Sequence, residues 1–152
     1  MSNSLHPYSY QEREGQYYFT TPSGAKYVAY FLELPLAPHL FTFNFDRIKD
    51  GRQTVVDTNV FDTVCSILAT FFQNHQDAML VVCDTVDGRE MARMRLFQSW
   101  YLRIAPKELL KIDKTGKAEN YNLLVSLLVW DDNPHKAELL SLLDEYCTMM
   151  LY

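Results

Sequence analysis

The sequence lacks the residue groupings on which most catalytic, metal and nucleotide sites are built. Its five glycines stand singly in predicted turns, which excludes a glycine-rich phosphate-binding loop. Its four histidines are scattered, and no cysteine pair has the spacing of metal ligands. No serine occupies the Gly-x-Ser-x-Gly turn of a nucleophile elbow. We therefore expect no metal ion and no cofactor, and a protein without catalytic activity is the leading hypothesis.

Cysteine is scarce, and long apolar runs are missing. Cys65, Cys83 and Cys147 are an odd number, each isolated in an apolar stretch, which is typical of buried free thiols in a reducing compartment. The longest apolar run, residues 123–130, is interrupted by Ser126 and is too short to cross a bilayer. No apolar leader segment follows the first residue. These features predict a cytoplasmic protein that does not associate with membranes.

Positive charge is in deficit. The chain has 14 Lys and Arg against 19 Asp and Glu, for a net charge of −5 and a pI of about 5.3. Because proteins that bind nucleic acids usually carry a net positive charge, DNA or RNA is disfavoured as the main partner. Aromatic residues make up 14% of the chain, a composition that suits a sheet-rich core.

The pattern along the 152 residues is that of one α+β domain. Residues 1–15 are polar and are predicted to form a flexible N-terminal arm, whose Tyr8 and Tyr10 could dock on the rest of the domain. Residues 16–152 contain no linker or repeat. The predicted element order is β-β-β-α-β-α-β-β-α. That order favours a largely antiparallel sheet with the helices packed on one face.

Turn and periodicity signals define the elements of the first half. A Pro- and Gly-containing turn at 21–24 joins the first two strands as a hairpin, and alternating phenylalanines in 40–46 mark a third. Apolar residues recur at helical spacing after an N-cap at 57 or 58. Residues 78–83 read as a strand buried on both faces. Burial is predicted for Phe61, Val64, Leu68, Phe71, Val81, Phe97, Leu127 and Leu143.

In the second half, a helix is predicted over 88–103, and two strands flank a turn at 114–117. A last helix follows, with Pro134 in its first turn. For residues 123–129 a helix remains an alternative to a strand, because a short apolar run does not reveal its period. Four lysines are distributed around the predicted second hairpin, as is typical of a solvated edge strand: Lys107, Lys111, Lys114 and Lys117.

The segment 83–101 holds the main candidate site. On a helical wheel Arg89 and Arg93 emerge from the aromatic face, whereas Arg95 points to solvent. A buried guanidinium needs a partner, and two carboxylates directly precede the helix. The pairing could be structural, with Trp100 stacked on Arg93, or the arginines could hold a small anion or an acidic partner segment. The candidate ligand- or partner-binding residues are Asp84, Asp87, Arg89, Arg93 and Trp100.

A second candidate is the segment 130–134, Trp-Asp-Asp-Asn-Pro. The oxygens of Asp131, Asp132 and Asn133 could coordinate a divalent cation. A loop whose Asp or Asn caps the last helix explains the same residues more economically, and we favour that reading.

The run Cys83-Asp84, Asp87-Gly88-Arg89, Arg93-Met-Arg95-Leu96-Phe97 and Trp100 resembles the central signature of a family of uncharacterised bacterial proteins, a domain of unknown function. Tyr18-Phe19-Thr20 with Gly24 and Tyr27, and Asn133-Pro134 before the last helix, are similar as well. The likeness extends over about residues 17–151. It implies a stand-alone cytoplasmic domain, and no activity or catalytic residue comes with it.

Three functions compete. The first is a small non-catalytic binding protein that contacts another macromolecule, as a bacterial antitoxin, immunity or defence accessory would. The second is an enzyme or small-anion sensor with a pocket around Arg89, Arg93 and Trp100. The third is a homodimer formed through the aromatic strand 27–34, if that strand lies at a sheet edge.

Overall fold

The computed structural model describes residues 5–49, 58–84, 90–118 and 121–149. Its strands are β1 (Gln11–Arg13), β2 (Gln16–Thr20), β3 (Lys26–Glu33), β4 (Leu40–Lys49), β5 (Ala78–Asp84), β6 (Leu109–Ala118) and β7 (Tyr121–Trp130). Its helices are α1 (Thr58–Phe71), α2 (Glu90–Arg103) and α3 (Lys136–Met149).

The seven strands are hydrogen-bonded in the order β1-β2-β3-β4-β5-β7-β6. β4 pairs with β5 in parallel, whereas β1–β2, β2–β3, β5–β7 and β6–β7 are antiparallel. The predicted α+β class and the largely antiparallel sheet are therefore confirmed. β3 lies between β2 and β4, so it offers no free edge for the homodimer considered above.

The described part of the predicted arm, residues 5–15, contacts β2 and α1. It contributes β1, which adds one strand to the predicted order and pairs with β2. The backbone N–H of Tyr8 donates to Oγ1 of Thr63 at 2.8 Å, and the hydroxyl groups of Tyr10 and Ser66 are 3.1 Å apart. These bonds tie the segment to α1.

By their contacts, the residues fall into two compact units, 1–32 with 43–73, and 33–42 with 74–152. In the first unit the predicted hairpin is present, with Gly24 at a φ of 91° that a side chain would disfavour. Phe19, Tyr27 and Phe45 stack in parallel, with ring centroids 5.2–6.2 Å apart. Val60 and Ile67 of α1 close this aromatic core from one side.

In the second unit, both faces of the sheet are buried. Leu80 and Leu127 belong to the cluster that α3 covers, whereas their neighbours Met79 and Leu128 point the other way and are buried too. α2 lies against β5, and its Trp100 is buried outside the α3 cluster. A central strand that is apolar on both sides is buried on both faces, as the two-faced apolar run of β5 predicts.

The last hairpin differs from its prediction. Residues 114–117 do not form the turn, because they continue β6 and pair with residues 122–125 of β7. β7 is a strand, which settles the alternative left open for 123–129. β6 ends the strand order and is the edge strand that its lysines indicated. Lys111 nevertheless keeps only 7% of its side chain exposed and donates to Asp113, which also accepts from Ser126.

The predicted core is largely observed. Val64, Leu68, Val81, Leu127 and Leu143 are buried. Phe61 and Phe71 are half-buried, and the side chain of Phe97 lies outside the described residues. Helical spacing therefore identified the buried face of α1 correctly, but not how far its rim residues are covered.

The buried thiols should resist alkylation. Burial, and secondarily Asp144, raise the pKa of the Cys147 thiol, while Lys114 lowers it. Because folding raises the pKa of the Cys147 thiol, the contribution of this thiol to stability is fully present below the pKa that it has in the unfolded state. That contribution is lost as the pH rises through the pKa of the folded state. We expect native Cys65 and Cys147 to react with iodoacetamide far more slowly than in urea, measured by peptide mapping. Equal rates in both conditions would contradict this burial.

Candidate functional site: the His75–Trp130 cleft

Three loops of the second unit meet around an open cleft with a volume of about 510 Å³. The first loop follows α1, the second precedes β6, and the third follows β7. The backbone N–H of Asp131 donates to the carbonyl oxygen of Glu108 at 2.8 Å, which joins the second and third loops. The His75–Trp130 cleft, as we name it, is lined by His75, Pro106, Glu108, Trp130, Asp131 and Asp132.

Two stacked rings form the aromatic wall of the cleft. The imidazole of His75 lies parallel to the indole of Trp130, with ring centroids 3.8 Å apart and an interplanar angle of 6°. Trp130 is 6% exposed and belongs to the core, whereas the His75 side chain is about half exposed. Nδ1–H of His75 donates to the Asp132 carboxylate, at 3.0 and 3.1 Å from its two oxygens. The stack and this bond together fix the imidazole.

Asn133 holds the third loop in position. Its side-chain oxygen accepts from the backbone N–H of His135 at 2.8 Å, just ahead of α3. Its side-chain NH₂ donates to the carbonyl oxygen of Gln76 at 3.3 Å, next to His75. Asn133 therefore closes the turn that leads into α3, one turn ahead of the first helical hydrogen bond, which His135 accepts from Leu139. The same buried side chain also ties the loop that carries Asp132 to the loop that carries His75.

Negative charge surrounds the aromatic wall. Glu108, Asp131 and Asp132 are exposed, with 70% of the Asp132 side chain accessible. Lys136 lies 2.8 Å from an Asp131 oxygen and offsets part of that charge. Carboxylates beside an aromatic surface suit an ammonium or guanidinium group. Among the residues that the structure describes, no three His, Cys, Asp or Glu side chains are grouped to hold a metal ion.

The arginine candidate cannot be assembled from the described residues. Asp87 and Arg89 lie outside them, and so do the side chains of Asp84 and Arg93. Trp100 is buried, and Arg95 is exposed as its wheel position indicated. The predicted cluster of Asp84, Asp87, Arg89, Arg93 and Trp100 therefore stays a prediction.

Sequence reasoning found one of the three loops of the cleft. The segment 130–134 was singled out, but His75, Pro106 and Glu108 were not. His75 and Asp132 are 57 residues apart, so no local spacing links them. The one local signal is that His75 follows the end of α1, where chain reversals bring polar residues to a sheet end.

In the described part of the chain, no helix combines the length and the apolar character needed to cross a bilayer. No curated protein and no solved structure matches the chain. A family described as a family of unknown function (DUF6169) matches residues 56–145, a span that includes every residue of the His75–Trp130 cleft. Because this match covers more than half of the 152 residues, the chain belongs to that family.

Proposed function

We propose that this protein is a non-catalytic binding protein, and that its His75–Trp130 cleft receives a Lys or Arg side chain of a protein partner. The observation that carries the proposal is the ring of carboxylates around the stacked His75 and Trp130. A guanidinium laid on the imidazole face would keep both carboxylate and aromatic contacts. Arginine is also among the residues that most often anchor protein interfaces.

The fixed geometry of the cleft supports binding by a preformed site. Asp132 is held by His75, and Asn133 is held at both ends of its amide. A ligand that meets ordered side chains loses less free energy to ordering them on binding. The net charge of −5 adds a long-range attraction for a basic partner, which argues against nucleic acid in this role.

The proposal includes a cytoplasmic location and a bacterial accessory role, of the antitoxin, immunity or defence kind. Cys65 and Cys147 are buried thiols, which supports a reducing compartment. The accessory role rests on the small size and acidic charge of the chain. A homodimer would need a surface other than the edge of β3.

Calorimetric titration with a triarginine peptide tests the proposal, with a triglutamate peptide as the charge-reversed control. We expect only triarginine to bind, and binding to weaken as salt is added. The double variant Glu108→Gln/Asp132→Asn should weaken it roughly five- to tenfold, since each exposed pair contributes little. The double variant Glu14→Gln/Glu145→Gln removes two charges from exposed sites that do not line the cleft and should leave affinity unchanged. Equal weakening by both variants would show non-specific attraction and refute the site.

A second function, an enzyme, is favoured by one observation. A His–Asp pair leaves Nε2 of His75 available for proton transfer, as in general-base catalysis. The alternative pocket around Arg89, Arg93 and Trp100 belongs to the same hypothesis. Hydrolysis of p-nitrophenyl acetate or bis-p-nitrophenyl phosphate that disappears in His75→Gln would replace the binding proposal. The binding proposal predicts that neither the native protein nor His75→Gln hydrolyses these two substrates.

A further inference from the structure

A second cleft, of about 420 Å³, lies in the first unit over β1, β2 and β3. Two cations, Arg13 and Lys26, line it, and none of its lining residues in the described chain is a carboxylate. Ser9, Gln11 and Thr20 add hydroxyl and amide groups that donate hydrogen bonds. The charge of this cleft is thus opposite to that of the His75–Trp130 cleft and to that of the whole chain.

Within the described residues, Arg13 is held by two neutral side chains. Its guanidinium carbon lies 6.0 Å from the ring centroid of Tyr18, and one of its NH₂ groups donates to the Gln11 side chain at 3.1 Å. The Tyr18 hydroxyl in turn donates to Gln16. An arginine fixed in this way keeps its full charge and its remaining N–H donors for an anion.

Lys26 provides the second charge on the same sheet face. Lys26 pairs with Thr20 across β2 and β3, and Thr20 is two residues from Tyr18, so Lys26 and Tyr18 lie on the same side of the sheet. Tyr18 pairs with Gln11, two residues from Arg13, which places Arg13 on that side as well. Glu12, next to Arg13 in sequence, is engaged by the backbone N–H of Gly15 at 2.9 Å. In the described chain, neither Arg13 nor Lys26 forms an ion pair.

We propose that this cleft binds a small phosphate ester that carries a planar ring. Two unneutralised cations favour a doubly charged anion over a single carboxylate, and Arg matches phosphate oxygens bidentately. The volume is within the range of small-molecule sites and exceeds what a phosphate alone would fill. The ring of Tyr18 also lines the cleft, on the side of the sheet that carries Arg13 and Lys26, so the remainder of the ligand meets aromatic surface. This inference stands independently of the proposed function.

Phenyl phosphate is the probe, with inorganic phosphate lacking the ring and benzoate lacking the second charge. Titration calorimetry should give the tightest binding for phenyl phosphate. Arg13→Gln and Lys26→Gln should each weaken it roughly two- to fivefold, the range for losing one exposed ion pair. Both side chains are exposed, so the variants should fold, which circular dichroism checks. Arg95→Gln, at an exposed position on α2, is the matched control and should change nothing.

Several outcomes would overturn the proposal. One is the lack of any phenyl phosphate binding by the full chain, and another is binding that neither Arg13→Gln nor Lys26→Gln weakens. Benzoate that binds as tightly as phenyl phosphate would show that the second charge is not read. An oligothymidylate or a triglutamate peptide that binds more tightly, and through the same two residues, would replace the small ester by a polynucleotide or an acidic peptide.

Discussion

Leu127→Ala is expected to lower the free energy of unfolding by about 2–5 kcal/mol, the range for truncating a buried leucine. Leu127 is 1% exposed and lies near the centre of β7, where it pairs with Leu80 on one side and Ile112 on the other. Its side chain packs in the cluster that α3 covers through Leu139 and Leu143. Truncation would leave a cavity between sheet and helix that neither can close without shifting.

Urea denaturation followed by circular dichroism measures this loss. Leu102→Ala is the matched control, because Leu102 is 73% exposed on α2 and its truncation removes little buried surface. A Leu127→Ala protein as stable as Leu102→Ala would contradict the assignment of β7 to the buried centre of the second unit.

Trp130→Ala should have an effect of similar or larger size, about 3–5 kcal/mol, because it empties the largest side-chain volume beside the cleft. The substitution also removes the indole on which the His75 imidazole stacks, so this ring is no longer held in one orientation by that contact. We therefore expect this variant to lose triarginine binding as well as stability. Thermal melts and calorimetry on the same preparation would measure both.

Two further variants separate packing from binding at this position. Trp130→Phe keeps an aromatic surface under His75 and should retain most of the stability. His75→Ala removes a half-exposed side chain and should cost little stability while weakening the peptide. If His75→Ala destabilises the protein as much as Trp130→Ala, the stack is part of the core and the cleft has no separate role.

The sequence predicted those elements whose signals are local. The apolar period of α1 and the two-faced run of β5 placed both correctly, because each pattern lies within one element. The prediction of a turn at 114–117 was wrong because pairing with a distant part of the chain decides the structure of these residues. Gly116 and its polar neighbours look like a turn, but ten residues of β7 need a partner of equal length, and β6 extends to provide it.

The contacts at the candidate site also differ in whether they join near neighbours or residues that are distant in sequence. The bond from Asn133 to His135 joins near neighbours, and the sequence indicated a local role for this loop at the start of the last helix. The contact between His75 and Asp132 depends on how two distant loops meet at one end of the sheet, and no spacing in the sequence encodes it. The bond from Tyr8 to Thr63 likewise joins residues that are 55 apart in sequence, so no local pattern indicates it. The hairpin of β1 and β2, in contrast, joins neighbouring residues, such as Arg13 and Gln16.

The central claim is that a basic side chain enters the His75–Trp130 cleft, and the two tryptophans of the chain test it most directly. In ¹⁵N-labelled protein each indole N–H gives its own NMR signal, so Trp130 reports on the cleft and the buried Trp100 serves as an internal control. During titration with triarginine, we predict a saturable shift of the Trp130 signal, while the Trp100 signal stays in place. A Trp130 signal that does not move at peptide concentrations where calorimetry records binding would contradict the claim.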